Sequence, residues 1–420
     1  MSSRLSNCTS WPWVRPWLIN TALNGGLSSQ AVLITLAMSA ALKRGTGLAM
    51  VGDCVASLCD ALRMHRRDWL LSAAACAALP RAGAAPLPRP LKWPADFGAH
   101  PESRTEWWYI TGSLEAGTRL WGFQVTFFRS ATGLAAGNTS RFAATELVFA
   151  HAALTDLEQK RLRHDQRIAR SGFGVAEAGS GDTRVRLRDW QLSREGAAPD
   201  RSRYSTRVAS DSAGFAFDLQ FEATQPLLLQ GIDGLSQKGP RAEQTSRYYS
   251  EPQLAANGTL TLDGKPIGVR GRAWLDHEWS DSLLDPPAVG WDWIGMNLDD
   301  GSALTAFRVR RADGSSVYAG GSFRAPGKAL RNFGADEVRF KPGRVWESAG
   351  SKARYPVEWR VETPAGAFTV KALLDNQELD SRGSTGAIYW EGLSELLDAS
   401  GQRVGRGYLE LTGYAAALRL

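Results

Sequence analysis

The sequence predicts an all-β protein built from two similar antiparallel domains. Apolar and polar residues alternate in short runs such as residues 215–219 and 357–361, a period-two pattern typical of half-buried strands. No long segment follows the 3.6-residue period of an amphipathic helix. A stretch that begins at residue 107 also recurs at residue 291. Helices are therefore expected only as short connections within a strand meander.

The first 63 residues stand apart from this pattern. Their apolar stretch, residues 31–42, is too short to cross a bilayer core at ~1.5 Å per helical residue. The simplest interpretation is that translation starts at Met64 and that the upstream residues come from an over-extended gene start. A genuine membrane-associated leader is the alternative.

Residues 64–84 have the composition of an export signal. Paired arginines precede an apolar run, and small residues follow at the two positions that a signal peptidase reads. The order Arg-Arg-Asp-Trp-Leu resembles a twin-arginine signal, so a periplasmic mature protein beginning at Ala85 is expected. Ordinary secretion and a lipid anchor at Cys76 are the alternatives.

Composition limits the partners of the mature chain. Residues 1–84 hold eight Lys or Arg and three Asp, which leaves 41 basic against 40 acidic side chains in residues 85–420. This balance, without a basic stripe, argues against nucleic-acid binding. All four cysteines precede Ala85, so the mature chain has no disulfide or thiolate metal site. Twelve of the sixteen tryptophans follow Ala85 and are expected to fill a core or line an apolar pocket.

An internal repeat sets the domain count. Residues 107–125 align without a gap with residues 291–309 and share Trp, Ile, Leu, an acid, Gly, a hydroxyl residue, Leu, Phe and Val in that order. Each copy is expected to be a β-hairpin whose turn glycine has a positive φ. We interpret the repeat as a duplication, with domains at residues 85–284 and 285–420. Chance similarity between two amphipathic hairpins is the alternative.

Tryptophan-rich motifs carry a resemblance to a known family. They are Thr105-Glu106-Trp107-Trp108-Tyr109, Tyr248-Tyr249-Ser250-Glu251-Pro252, Trp274-Leu275-Asp276-His277-Glu278-Trp279-Ser280 and Gly290-Trp291-Asp292-Trp293. They resemble the motifs of the AttH-like and carotenoid 1,2-hydratase family. The resemblance implies two tandem lipocalin-like (calycin) antiparallel β-barrels in an exported or membrane-associated protein. Because genes of this family often adjoin transporter genes, it also implies an ABC-type transporter as a partner.

The segment 273–279 supplies the main site candidates. As a strand, it places His277 and Trp279 on one face and Asp276 on the other. If the first face lines an apolar lumen, the histidine could orient a polar head group or donate a proton. The alternative is a buried, hydrogen-bonded histidine that braces the domain. His151, flanked by apolar residues, has the same two interpretations.

Metal and serine chemistry lack their usual patterns. The run His277-Glu278-Trp279-Ser280-Asp281 has Asp where a zincin needs its second histidine, and it lies in a predicted strand. No Gly-x-Ser-x-Gly elbow occurs. We therefore expect no metal site and no cofactor. A cation held by Asp276, His277, Glu278 and Asp292 is a weak alternative.

The expected function is binding of an apolar or amphipathic small molecule of lipid or isoprenoid type in an aromatic-lined barrel. The alternative is a hydro-lyase resembling carotenoid 1,2-hydratase, which adds water to a carbon-carbon double bond. The resemblance implies a His-x-Trp pair, matched by His277 and Trp279, and a Tyr-x-Asp pair that residues 304–308 do not match. The candidate ligand-binding residues are His277, Trp279, Trp291, Trp293, Glu106, Trp108 and His151, and the candidate hydratase residues are His277, Asp276 and Asp292.

Overall fold

The computed structural model describes residues 89–134, 137–140, 142–282 and 284–418. The predicted signal peptide, its cleavage position and the first 63 residues lie outside the described residues. Apart from one 3-10 turn at Ala95–Phe97, the regular structure of the described residues is β-strand. The all-β prediction is therefore confirmed. No helix in the described part of the chain has the length and apolar character needed to cross a bilayer.

The strands form two large antiparallel sheets, one after the other along the chain. The first sheet contains β1 (Thr105–Ala116), β2 (Arg119–Ala131), β3 (Glu146–Asp156), β4 (Arg161–Arg170), β5 (Ala176–Ala178), β6 (Arg184–Leu187), β7 (Trp190–Glu195), β8 (Arg203–Ser210), β9 (Phe215–Glu222), β10 (Leu228–Leu229), β11 (Leu235–Gln237), β12 (Thr245–Leu262) and β13 (Lys265–Ser280).

The second sheet, together with the small separate pair β19–β20, completes the chain. The second sheet contains β14 (Ala288–Leu298), β15 (Ala303–Arg311), β16 (Ser316–Arg324), β17 (Arg331–Phe333), β18 (Arg339–Pro342), β21 (Glu358–Thr363), β22 (Gly366–Ala372), β23 (Glu378–Ser381), β24 (Ala387–Leu397) and β25 (Arg403–Leu411). The separate pair consists of β19 (Val345–Glu347) and β20 (Arg354–Pro356).

The two sheets share one topology. In the first sheet the order is β4-β3-β2-β1-β13-β12-β9-β8-β7-β6-β5, and in the second it is β17-β16-β15-β14-β25-β24-β22-β21-β18. The first strand of each sheet therefore lies between the second strand and the last. In the first sheet, β5 and β6 also lie against β3, which brings the two ends of the sheet together. The first sheet is therefore a nearly closed lipocalin-like barrel, which we call barrel 1. The second sheet repeats the arrangement of its first and last strands, and we call it barrel 2.

The repeated segments take equivalent places in the two barrels. Residues 107–125 lie in the β1–β2 hairpin and residues 291–309 in the β14–β15 hairpin. The aligned turn glycines, Gly117 and Gly301, both have a positive φ, at 60° and 86°. The predicted hairpins and their turn glycines are thus confirmed, and the shared topology supports the duplication. The predicted boundary between residues 284 and 285 lies in the connection between the sheets.

Each barrel packs its own interior with large apolar side chains. In barrel 1, alternate residues of β1 and β2, among them Trp108 and Phe123, are fully buried in one core. In barrel 2, Trp359 and Trp390 are fully buried in a second core. The sequence-based prediction placed a ligand in such an interior, whereas the cavity described below lies between the barrels.

A bulge in β12 of barrel 1 positions a side chain that forms hydrogen bonds with barrel 2. The register of β12 against β13 shifts between Glu251 and Leu254, and Gln253 in the bulge has a φ of 55°. This conformation lets the Gln253 amide donate to the carbonyl oxygens of Leu298 (2.9 Å) and Ser302 (2.8 Å) in the β14–β15 turn. The outward faces of the two barrels are thereby held against each other.

Candidate functional site

A cavity of about 320 Å³ lies between the two barrels. Outward-facing side chains of β1, β2, β3 and β13 form one wall, and those of β14, β15, β24 and β25 form the opposite wall. Its lining is mainly apolar, which suits a hydrocarbon-rich ligand. The aromatic side chains of the wall are Trp107, Tyr109, Phe128, Phe149, Tyr248, Trp291, Trp293, Phe307 and Tyr389.

Strand register places a row of polar residues across the barrel 1 wall. His151, Thr126, Tyr109 and Asp276 are direct cross-strand neighbours on β3, β2, β1 and β13. Successive side chains of a strand point to opposite faces, so in-register residues on neighbouring strands share one face. Residues one position away, such as Trp108 and His277, consequently point into barrel 1.

Asp276 is a buried carboxyl at the β13 end of this row. It accepts hydrogen bonds from Tyr248 Oη (2.8 Å), Ser250 Oγ (2.6 Å) and Trp274 Nε1 (2.7 Å). Burial nevertheless raises the pKa of Asp276 to about 7, because those bonds only partly offset the loss of water. Asp276 therefore retains its proton to a much higher pH than an exposed aspartate does.

Two glutamates face each other on the barrel 2 wall. Glu391 of β24 and Glu410 of β25 are cross-strand partners, and Trp293 of β14 is the next residue in the same row. Burial raises the pKa of Glu410 to about 7, and burial with the charge of Glu410 raises the pKa of Glu391 well above its ordinary value. Like charges directly opposite each other on a sheet repel, so the pair favours retaining a proton. We call Asp276, Glu391 and Glu410 the cavity acids.

Two other polar groups border the cavity. Lys238 Nζ pairs with Glu278 at 2.9 Å and lies 4.4 Å from the ring centroid of Phe307. At another point His151 bonds through Nδ1 to Tyr389 Oη (2.8 Å) and through Nε2 to Ser384 Oγ (2.9 Å). Burial lowers the pKa of His151 to about 3, so this imidazole is neutral.

A second group of ionisable side chains lies inside barrel 1, and we call it the lumen cluster. Glu106 accepts hydrogen bonds from His100 Nδ1 (2.7 Å), His277 Nε2 (2.9 Å) and Arg129 Nε (2.9 Å). The remaining nitrogens of the two histidines bond to Asp96 Oδ1 (3.1 Å) and Tyr249 Oη (3.0 Å). The lumen cluster comprises Asp96, His100, Glu106, Arg129 and His277.

Charge pairing sets the protonation of the lumen cluster. Burial raises the pKa of Glu106, but hydrogen bonds from both histidines outweigh burial and bring it down to about 2. Burial opposes protonation of His100, yet Glu106 and Asp96 raise its pKa above the usual value. Burial lowers the pKa of His277 to about 4. The cluster thus combines carboxylates and Arg129 with a His100 whose pKa is raised and with a neutral His277.

Three members of the lumen cluster also resemble a metal site. Ligand atoms of His100, Glu106 and His277 all lie within 4.8 Å of one another. However, every ring nitrogen of the two histidines already has a protein partner, and Arg129 contacts the shared carboxylate. A cation would have to displace these bonds beside a guanidinium. These side chains therefore form a buried cluster in which other protein groups already satisfy the hydrogen bonds of both imidazoles and of the shared carboxylate.

The sequence-predicted site residues divide between these places. Trp291, Trp293, His151 and Asp276 line the cavity. Glu106 also borders it, but its carboxylate belongs to the lumen cluster. The residues that point into the barrels instead are Trp108, His277 and Trp279 in barrel 1 and Asp292 in barrel 2.

Contacts explain why these four residues face away from the cavity. His277 and Trp279 share one strand face, as predicted, with ring centroids 4.8 Å apart. The Trp108 indole donates to the carbonyl oxygen of Phe97 at 3.1 Å. Asp292 accepts from Arg308 Nε at 2.6 Å and from Tyr414 Oη at 2.8 Å. The weak alternative of a cation site formed by Asp276, His277, Glu278 and Asp292 is contradicted, because these residues lie on different faces.

Sequence reasoning missed Glu391 and Glu410. Each is an acid within a strand of aromatic and aliphatic residues, which is the available signal for a buried carboxyl. Their pairing depends on the register of β24 with β25 and could not be read from the residues alone. Tyr109 is the last residue of the motif at residues 105–109, but the sequence did not indicate a role for it.

Comparisons with known proteins agree with this architecture. The AttH-like family model matches residues 84–414. The crystal structure of a putative AttH from Nitrosomonas europaea is 47% identical over 78% of this chain and 98% of its own, with a TM-score of 0.71. Kievitone hydratase from Nectria haematococca is 15% identical over 80% of this chain and 95% of its own, with a TM-score of 0.60, and shares the fold. No curated protein matches the chain.

Proposed function

The chain belongs to the AttH-like family, and we propose that this member binds an apolar or amphipathic small molecule in the cavity between its two barrels. The aromatic lining of that cavity carries the proposal. Tryptophan, tyrosine and phenylalanine rings offer large apolar contact surfaces with little side-chain entropy to lose. The cavity acids and His151 supply the few polar groups that orient a ligand.

Fluorescence provides a direct test of binding. Trp291 and Trp293 line the cavity, so a polyene fatty acid bound there should quench tryptophan emission with a stoichiometry of one. Replacing Gly122 by Leu is unsuitable as a blocking change, because that glycine abuts Leu393 and Tyr408 between the barrels. Phe307→Arg should reduce binding by placing a charge in the apolar wall. Phe340→Leu, in the barrel 2 core, is the control. Binding unaffected by Phe307→Arg would contradict the cavity site.

A hydro-lyase is the second candidate, favoured by the protonation of Asp276. Adding water to an unactivated double bond requires a proton donor, a surface that stabilises a carbocation, and a water molecule. Asp276 would give its proton to one alkene carbon, and the aromatic walls would stabilise the cation at the other. Water would then add its oxygen to that carbon and return a proton to Asp276. The hydratase name of the structural neighbour agrees with this chemistry, but the likeness extends only to the fold.

Isotope labelling separates catalysis from binding. Protein incubated with lycopene and with shorter isoprenoid alkenes in ¹⁸O-labelled water should give a product that carries the label. Asp276→Asn should abolish turnover and leave binding intact, because the amide fills the same space without an acidic proton. His277→Gln, inside barrel 1, tests the role inferred from the family resemblance. Quenching without any labelled product would leave the binding function and reject the hydro-lyase.

We also propose that the protein works in the periplasm, beside an ABC-type transporter. The proposal depends on the twin-arginine pattern in residues 64–84 and on the family resemblance. N-terminal sequencing of the exported protein should find Ala85 first, and replacement of both arginines by lysine should block export. A lipid-modified Cys76 at the N-terminus would contradict the soluble form. Co-purification of a transporter subunit after crosslinking tests the partner.

A further inference from the structure

One buried acceptor in the cavity wall has no hydrogen-bond partner among the described residues. It is Gln124 Oε1 of β2, in a side chain that lines the cavity and is 1% exposed. The nitrogen of the same amide does have partners, because it donates to Thr126 Oγ1 (2.8 Å) and Tyr389 Oη (3.4 Å). Buried polar groups are normally satisfied, so the free oxygen indicates a missing donor.

A chain of hydrogen bonds fixes which atom of this amide is the oxygen. Gln166 Nε2 donates to a backbone carbonyl at 2.7 Å, so Gln166 Oε1 accepts from Ser384 Oγ at 2.7 Å. Since Ser384 gives its proton to Gln166, it accepts from Nε2 of the neutral His151. Nδ1 of that imidazole then accepts from the Tyr389 hydroxyl. The Tyr389 oxygen can only accept further bonds, so Gln124 presents its N–H group to it and its oxygen stays free.

The charges of the cavity wall are also unbalanced. Five carboxyl side chains line the cavity, but two of them have basic partners. Glu106 pairs with Arg129 at 2.9 Å. Glu278 pairs with Lys238 at 2.9 Å. The other three are the cavity acids, and none of them forms an ion pair with Lys, Arg or His among the described residues.

The free acceptor and two of the cavity acids border the same part of the cavity. Thr126, two residues beyond Gln124 on the same strand face, is the cross-strand partner of Tyr109. The Tyr109 hydroxyl contacts the Glu391 carboxyl on the opposite wall. Tyr389, which bonds to the Gln124 amide, lies on the same face of β24 as Glu391. A ligand group placed there can therefore reach both.

We propose that the cavity binds the protonated amine of an otherwise apolar ligand, which donates an N–H group to Gln124 Oε1 and whose charge is balanced by the Glu391–Glu410 pair. This inference rests on the proposed binding function and names the ligand class as a cationic amphiphile. Two facing carboxyls that share one proton carry a single negative charge, which matches one ammonium group. The tryptophan and tyrosine rings of the wall add favourable contacts with a cation.

Other ligand groups match these features less well. A carboxylate ligand would have to take up a proton, because the cavity acids have no basic partner to share with it. An alcohol could donate to Gln124 Oε1 but would leave the carboxyl pair without a cation. A pure hydrocarbon would leave the acceptor unsatisfied as well.

A matched series of probes tests the amine site. 4-Phenylbutylamine, 4-phenylbutanol and 4-phenylbutyrate have the same carbon skeleton and differ in charge. In calorimetric titrations of the full chain at pH 8, we expect the amine to bind at least about tenfold more tightly than the alcohol. The carboxylate should bind most weakly of the three.

The pH dependence tests the role of the carboxyl pair. Glu410 has a pKa of about 7 and must lose its proton before a cation can bind, so the affinity for the amine should fall roughly tenfold for each pH unit below 7. Calorimetry at pH 6 in two buffers of different ionisation enthalpy should show release of about one proton per amine bound. The ionisable groups that act on the pair are Tyr109, Asp276, Glu278, Tyr389 and Tyr408. The three tyrosines keep their protons throughout, and Asp276, with a pKa of about 7, changes in the same direction as the pair.

Variants locate the effect. Glu391→Gln combined with Glu410→Gln should bring the affinity for the amine close to that for the alcohol. Gln124→Met should weaken amine binding about fivefold and leave its pH dependence unchanged. Glu395→Gln is the control on β24, because Glu395 pairs with Arg406 and should not affect the preference. Butylbenzene, which has no polar group, should bind all variants alike and so shows that the cavity is intact.

The outcomes distinguish the amine site from the binding function. If butylbenzene binds and the amine binds no more tightly than the alcohol at pH 8, the amine site is overturned and cavity binding stands. If the preference for the amine survives the double variant, the amine site is also overturned. If neither butylbenzene nor any member of the series binds, the binding function and the amine site fall together.

Discussion

The lumen cluster and the cavity acids are equally buried but oppositely ionised. In the lumen cluster, Glu106 has three cationic or N–H partners and a pKa of about 2. Among the cavity acids, Glu410 faces another carboxyl and has a pKa of about 7. Burial alone would raise both, so the partners decide the sign. The hydrogen bonds of the lumen cluster are satisfied within the protein. The cavity acids instead retain protons next to a cavity that could hold a ligand.

Removing the central carboxylate of the lumen cluster should have the largest effect. Glu106→Gln removes the carboxylate that Arg129 and His100 share and leaves each with one acidic partner, Glu146 and Asp96, so we expect the unfolding free energy to fall by about 3 kcal/mol. Denaturant titration at pH 7 measures it. Glu115→Gln is the control on the same strand, because Glu115 is half-exposed and pairs only with Arg406 at 3.2 Å. A loss no larger than that of the control, at most about 1 kcal/mol, would remove the contrast between the two groups.

Removing a cavity acid should have a smaller effect that appears only as pH rises. The Glu410 pKa is 4.5 before burial and about 7 in the fold, so the folded protein holds the extra proton between these values. That contribution to stability is complete below pH 4.5 and is lost as pH rises to about 7. The unfolding free energy of Glu410→Gln, relative to that of the wild type, should therefore rise by about 2–3 kcal/mol between pH 4.5 and 7.5.

The same titration series needs a control for the neighbouring charges. The charges of Asp276 and Glu278 act on Glu410, and Glu391 titrates together with it. Glu395→Gln on β24, where Glu395 pairs with Arg406 at 3.7 Å, should not gain stability over this range. A flat difference for Glu410→Gln would mean that this carboxyl is ionised throughout, and the cavity would then hold fixed negative charge.

Two tyrosine hydroxyls give the smallest and most direct comparison. Tyr249 bonds to His277 at 3.0 Å in the lumen cluster, whereas the Tyr109 hydroxyl has only a weak contact with the Glu391 carboxyl. Tyr249→Phe should lower the unfolding free energy by about 1 kcal/mol, and Tyr109→Phe should change it by less than about 0.5 kcal/mol. Thermal unfolding of the two variants side by side measures both. Equal losses would show that the contact between Tyr109 and Glu391 is as strong as the Tyr249–His277 hydrogen bond.

The fold was predictable because its signals are local. Alternation along residues 357–361, the turn glycines 117 and 301, and the aligned hairpins depend only on neighbouring residues. Alternation also predicted that His277 and Trp279 share one strand face and that Asp276 lies on the opposite face. It could not say which face is the packed lumen and which meets the other barrel. That choice depends on long-range packing of two barrels, so the cavity and the Glu391–Glu410 pair were out of reach.

The boundary between the barrels also determines how easily the cavity can be reshaped. Strand hydrogen bonding runs within each large sheet, and the barrels meet through side chains such as Gln253, which reaches the β14–β15 turn, and the Arg272–Asp299 pair at 2.8 Å. Wall residues such as Phe307 and Trp291 can then be exchanged without interrupting a ladder or a barrel core. For protein engineering, this makes the cavity a recognition surface whose size and polarity can be redesigned without altering the hydrogen bonding of either sheet, provided that the hydrophobic cluster between the barrels stays packed.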